Sequence, residues 1–147
     1  MSATGPAKTV PPLQGILETS LYVDDLDAAK AFYADIMGFA EIFSDIRMAS
    51  FGVGDDRVLL LFKRGASAQA LEAPGGGMIP PHDGSGPIHI AFAVADRDFP
   101  AWETYLDQHG VEIEERLDWP RGGHSIYFRD PDGHLLELVS RRLWSQG

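Results

Sequence analysis

Apolar and polar residues alternate along 16–23 (ILETSLYV), the two-residue period of a half-buried strand. Asp24 and Asp25 follow as an N-cap for an amphipathic helix predicted from about Leu26 to Met37, with Gly38 as its stop. Strands are predicted next at Ala40–Phe43, Met48–Val53 and Val58–Lys63. The same order then recurs. Residues 87–94 (PIHIAFAV) read as a strand, Asp96 to Asp98 cap a helix with Pro100 in its first turn, and Gly110 ends it. Val111–Arg116, Ser125–Arg129 and Leu135–Ser140 complete the second set of strands. Val23 and Val94 stand 71 positions apart, and Gly38 and Gly110 stand 72 apart. The pattern predicts an α+β fold of two βαβββ modules, residues 15–63 and 87–140, within one domain covering 15–143. Residues 64–86, rich in Pro and Gly, predict a linker or a functional lid. Residues 1–14 predict a flexible N-terminal tail.

Alternation also sorts the side chains by face. Leu17, Thr19, Leu21 and Val23 share the face that should pack on the first helix, leaving Glu18, Ser20 and Tyr22 on the other. Ile88, Ile90, Phe92 and Val94 form the apolar face of the later strand, with His89, Ala91 and Ala93 opposite. Glu137 interrupts the apolar run Leu135-Leu136-Glu137-Leu138-Val139, where an ionised carboxylate is costly unless it is solvated, paired or bound to a cation. Glu18, His89 and Glu137 thus lie on non-helical strand faces, the first two at equivalent repeat positions. Together they are candidate ligands for a divalent metal, which takes imidazole and carboxylate donors and leaves positions for water or substrate. Taken singly, His89 reads as a structural histidine, Glu18 as a residue of a wet face, and Glu137 as an ion-pair partner of Arg129 or Arg141.

Composition narrows the chemistry. The 147 residues include no cysteine, which excludes a disulfide scaffold, thiolate metal ligands and a thiol nucleophile. A net charge of −10 opposes nonspecific nucleic-acid binding. The longest apolar run, Val58–Phe62, is far short of the roughly 20 residues of a membrane helix, and the N-terminal sequence lacks a signal-peptide pattern. A cytoplasmic protein with no membrane or nucleic-acid partner is expected. Gly75-Gly76-Gly77 lacks the Lys-Ser/Thr of a phosphate loop, and the spacing from Asp130-Pro-Asp-Gly133 to Glu137 is too short for a calcium loop.

The segment from Glu18 to Phe39 resembles the opening of the vicinal oxygen chelate superfamily, which contains glyoxalase I, bleomycin-resistance proteins, fosfomycin-resistance thiol transferases and extradiol dioxygenases. His89-Ile-Ala-Phe-Ala-Val94 resembles its second-half strand, and Tyr127-Phe-Arg-Asp-Pro-Asp-Gly-His-Leu-Leu-Glu137 its closing motif. The resemblance implies a cupped mixed sheet around a divalent metal (Zn, Ni, Mn or Fe), and often a homodimer. His89 and Glu137 match family metal ligands. Glu18 stands where many members have histidine, and Leu60 falls near the fourth ligand of glyoxalase-I-like enzymes. Ser20 and Tyr127 match substrate-pocket positions of the fosfomycin-resistance branch.

Four further readings complete the expectation. Glu18 and Glu137 can double as proton-transfer bases. His124, beside the strand carrying Tyr127, is a candidate general acid or base, or a plain loop histidine. Arg121 is a candidate clamp for an anionic substrate, or a solvated arginine. His82 lies in the segment that could close over the pocket. The expected function is a metal-dependent enzyme acting on a small oxygen-chelating substrate by stabilising an enolate or oxyanion, as a lyase, isomerase or dioxygenase. The alternative is a non-catalytic protein that sequesters a drug, as bleomycin-resistance proteins do.

Overall fold

The computed structural model describes residues 9–145, so residues 1–8 of the expected tail lie outside the described part; residues 9–14 carry no helix or strand. The chain divides into two compact units, residues 17–88 with 130–135 and residues 89–129 with the segments 9–16 and 136–145. No helix among the described residues is long and apolar enough to cross a membrane.

The first unit follows the expected order. β1 (Glu18–Val23) leads through the Asp25 N-cap, whose carboxylate accepts from the Ala28 N–H at 3.0 Å, into α1 (Leu26–Ala31). The sequence predicts an unbroken α-helix to Met37, but a π turn occupies Phe32–Ile36, closed by Met37 N–H to the Phe32 carbonyl at 3.1 Å. Phe32 and Tyr33 are both buried there. β2 (Ala40–Ser44), β3 (Met48–Gly52) and β4 (Val58–Lys63) complete a sheet of order β1-β4-β3-β2, with β1 and β4 parallel. α1 packs on β3 and β4, burying Leu21, Val23, Leu59 and Leu61. Each such side chain contributes roughly 1.5–3 kcal/mol. Leu17 and Thr19, expected on that face, are exposed because they precede the stretch of β1 that the core covers.

Residues 64–86, expected as a linker or lid, carry local structure of their own. They contain a hairpin, β5 (Leu71–Glu72) with β6 (Met78–Ile79), and both ends are tied to the first unit. Arg64 donates to the carbonyls of Gly84 (3.0 Å) and Tyr22 (3.1 Å), the His82 N–H to the Ser67 carbonyl (2.8 Å), and the Gly65 N–H to the Asp83 carboxylate (3.0 Å). Gly84 lies on the Tyr22 ring, where a Cβ would come within 2.6 Å of it.

The second unit repeats the order with β7 (His89–Val94), a 3-10 turn at Asp96–Asp98, α2 (Phe99–Gln108), β8 (Glu115–Asp118), β9 (His124–Arg129) and β10 (Leu135–Ser140). Its sheet runs β7-β10-β9-β8. Ile126, Phe128, Leu136 and Leu138 are buried on one side, with Phe99 and Leu106 of α2. β8 starts four residues later than the sequence predicts. Val111 N–H is still held by the Leu106 carbonyl at the helix end, and the chain rejoins the sheet only where Glu114 N–H reaches the Tyr127 carbonyl.

Candidate functional site

Two residues of the expected metal set meet in the second unit. His89 opens β7 and Glu137 is the third residue of β10, so both stand on the face opposite the buried Leu136 and Leu138. His89 Nε2 lies 3.1 Å from Glu137 Oε1. Glu137 is only 7% exposed, and neither Arg129 nor Arg141 pairs with it; Arg129 binds Glu114 instead, at 3.0 and 3.1 Å. Glu18, on β1, belongs to the other sheet. Among the described residues no three His, Asp or Glu side chains come together as a group able to hold a metal ion.

The second oxygen of Glu137 has its own partner. The Trp119 indole N–H donates to Ser125 Oγ at 2.8 Å, and the Ser125 hydroxyl donates to Glu137 Oε2 at 2.5 Å. An indole N–H can only donate, so the serine oxygen accepts it and the one hydroxyl proton is directed to the carboxylate. The relay fixes the rotamer of Glu137 and leaves Oε1 facing His89. Ser125 is 1% exposed. Its place on this face was legible, because it shares parity with Tyr127, but its bond to Glu137 was not.

Above this pair opens a cleft of about 850 Å³, lined by Ala91, Trp119, Arg121, Tyr127, Arg142 and Trp144 as well as His89 and Glu137. The Tyr127 ring centroid lies 6.3 Å from that of His89. Desolvation, and then the Glu137 charge, hold the Tyr127 phenol above the ordinary tyrosine pKa. Arg121 reaches the lining from the Trp119–Gly123 turn, which is closed by Trp119 N–H to the Gly123 carbonyl and Gly122 N–H to the Trp119 carbonyl, both at 2.9 Å. Arg142 follows β10, and its Nε donates to Asp96 at 2.5 Å. The sequence reading missed Arg142, since no periodicity marks a turn after the last strand.

The remaining expected site residues fall elsewhere. His124 stands on the opposite face of β9, where its ring edges onto Phe99 of α2 at 5.6 Å and Nδ1 lies 2.6 Å from Asp118. Its parity matches the buried Ile126 and Phe128, and it is not among the residues that line the cleft. Ser20 shares a face of β1 with Glu18 and Tyr22 in the first sheet. His82 is half-buried in the first unit, with Nδ1 hydrogen-bonded to the Tyr22 hydroxyl at 2.7 Å and its ring edge-on to Phe62 at 4.6 Å. It fastens a local segment to its own sheet, and the expected lid role does not describe that packing.

The sequence reading also gave no role to a buried tie in the closing motif. His134 is fully buried; its Nδ1 accepts from the Ile88 N–H at 2.9 Å, so its Nε2 carries the proton donated to the Tyr22 carbonyl at 2.8 Å. Asp130 accepts from the Tyr33 hydroxyl at 2.6 Å and from the His134 N–H at 2.9 Å. Burial, and then the Asp130 charge, push the Tyr33 hydroxyl well above the ordinary tyrosine range.

Two βαβββ repeats, the second carrying an imidazole and a carboxylate in the lining of an open cleft, define a class of repeat-built α+β fold. A sequence profile of the Glyoxalase/Bleomycin resistance protein/Dioxygenase superfamily matches residues 15–138, and the chain belongs to that superfamily. It is 32% identical over 129 residues to the glutathione transferase FosA of Serratia marcescens, covering 86% of this chain and 80% of that one. It is 29% identical over 127 residues to the metallothiol transferase FosB of Staphylococcus haemolyticus, covering 86% and 83%. The crystal structure of lactoylglutathione lyase from Agrobacterium tumefaciens matches with a TM-score of 0.83 and 35% identity, over 92% of this chain and 100% of that one.

Proposed function

We propose that this chain is a divalent-metal-dependent enzyme acting on a small substrate that presents oxygen ligands. The observation that carries the reading is the 3.1 Å approach of His89 Nε2 to Glu137 Oε1 on the open face of the second sheet. The donors fit such a cation: an imidazole nitrogen and a buried carboxylate oxygen, the carboxylate oriented by Ser125 as ligand carboxylates commonly are. The kinship with a metallothiol transferase supports the same reading. Zn, Ni, Mn and Fe all accept this donor chemistry.

Glu18 is the third ligand in this reading. We further propose that a second copy of the chain supplies it in a homodimer. A bound cation supplies Lewis-acid stabilisation of negative charge developing on a substrate oxygen. Tyr127 offers a phenolic O–H to a substrate in the cleft, and Arg121 a guanidinium for an anionic group. Glu18 and Glu137 are the carboxylates available to take up a substrate proton. Sequestration of a cationic drug fits less well, since Arg121 and Arg142 both face the cleft.

Metal content after loading and gel filtration tests the proposal. The parent chain is expected to retain about one metal per chain, and Glu137→Gln and Glu18→Gln each to lose it. Mixing those two variants should restore part of the metal, because a mixed dimer holds one intact set of ligands. Full retention by Glu137→Gln would remove the reading, and an inert mixture would remove the shared site.

A further inference from the structure

The cleft of the second unit presents guanidinium groups on a chain that is acidic overall. The protein carries −10 overall, yet its cleft lining holds the guanidinium groups of Arg121 and Arg142 against the single carboxylate of Glu137. Arg142 is held by Asp96, which takes its Nε. Arg121 is exposed at the turn and has no ion-pair partner among the described residues. A desolvating anion is the ligand such a group lacks.

Size and lining add a second requirement. A bare oxyanion fills a small part of about 850 Å³, a volume in the range of sites that enclose molecules of several hundred daltons. The other walls are aromatic. Trp119 is anchored by its bond to Ser125, Tyr127 also lines the cleft, and Trp144 in the lining has 80% of its surface exposed. Two indoles lining one cleft offer apolar surface that a flat ligand would cover.

We propose that the substrate is an organic oxyanion with a flat apolar body, its charged head held by Arg121 and its body laid against Trp119 and Trp144. The assignment deepens the metal-enzyme reading and rests on it only for orientation, the substrate's chelating oxygens pointing to His89 and Glu137. The chemistry selects against two simpler ligands, a small anion without a ring and a neutral molecule with one.

Mandelate, lactate and mandelamide separate these requirements, because each of the last two lacks one feature of the first. Binding to the full chain, metal-loaded and chelator-treated, is followed by calorimetry and by tryptophan fluorescence; two of the three tryptophans line the cleft. Mandelate is expected to bind at least about tenfold more tightly than lactate or mandelamide. Arg121→Gln should weaken mandelate about tenfold and leave mandelamide unchanged, with an unaltered melting temperature. Phenylphosphonate, run alongside, tells a phosphonate head from a carboxylate head, and either one binding through Arg121 upholds the proposal. Equal binding of lactate, equal binding of mandelamide, or no binding in either state overturns it. Failure to load metal while the order holds in chelator-treated protein sinks the metal reading alone. Loss of the order in protein with stoichiometric metal sinks the substrate class alone.

Discussion

The two modules run the same order of elements, but the sheet face that each turns away from its core ends differently. In the first, the fifth residues of β1 and β4 are Tyr22 and Phe62, stacked at 5.9 Å and covered by His82 and Gly84. In the second, the fifth residues of β7 and β10 are Ala93 and Val139, and that face opens into the cleft. The third residues differ as well: Leu60 in β4, Glu137 in β10. At its Tyr22 and Phe62 end the first repeat covers this face, and the second leaves the matching end open to the cleft. A carboxylate is tolerated in an apolar strand where neighbouring side chains are small and a serine hydroxyl meets one of its oxygens.

The comparison breaks most severely at the buried histidine of the first unit. His134→Ala strands the Ile88 N–H and the Tyr22 carbonyl, and should cost roughly 2–6 kcal/mol in urea unfolding, at about one to three for each orphaned group. The second unit answers with a smaller, functional effect. Ser125→Ala removes the partner of Glu137 Oε2 and should weaken metal affinity about 10–100-fold in a competition titration. Gly84→Ala drives a methyl into Tyr22 and should cost about 1–3 kcal/mol, while metal affinity stays at the parent value.

Titration separates the modules further. Tyr33 has its proton held more tightly in the folded state, so its contribution is present below about pH 10 and lost as pH rises through the alkaline range. Tyr33→Phe should flatten that alkaline loss in pH-dependent melting, at a neutral-pH cost of about 1 kcal/mol. The smallest effects are acidic. Backbone N–H groups of Gly65 and Gly84 lower the Asp83 pKa, and hydrogen bonds from Ser140 and Arg142 lower that of Asp96. Each contributes stability above the ordinary aspartate range that is lost as pH falls through the lowered value. Asp83→Asn should remove the acid sensitivity of the first unit, and Asp96→Asn that of the cleft wall, in hydrogen exchange resolved by segment. An unchanged pattern in either variant would show that these bonds carry no stability.

Local pattern foretold the repeat because each module places alternating strands, an aspartate cap and a stop glycine within a few residues of one another. The orientation of Glu18, His89 and Glu137 followed from the two-residue period alone. What sequence did not reveal depends on distant partners. The π turn at Phe32–Ile36 accompanies a Tyr33 hydroxyl that must reach Asp130, and His82 is placed by an aromatic pair on two other strands. β9 begins one residue earlier than predicted, which makes His124 a strand residue with a defined face. Arg142 joins the cleft through a turn that no period describes.

The central claim is that Glu137 survives in an apolar strand as a metal ligand. Thermal melting of the parent and Glu137→Gln, each with excess divalent cation and then with chelator, tests it most directly. Free metal at about 100 times its dissociation constant should stabilise the parent by about 2.7 kcal/mol, an increment that chelator removes and Glu137→Gln never shows. Equal melting of the parent with cation and with chelator, or an equal cation increment in Glu137→Gln, would contradict it.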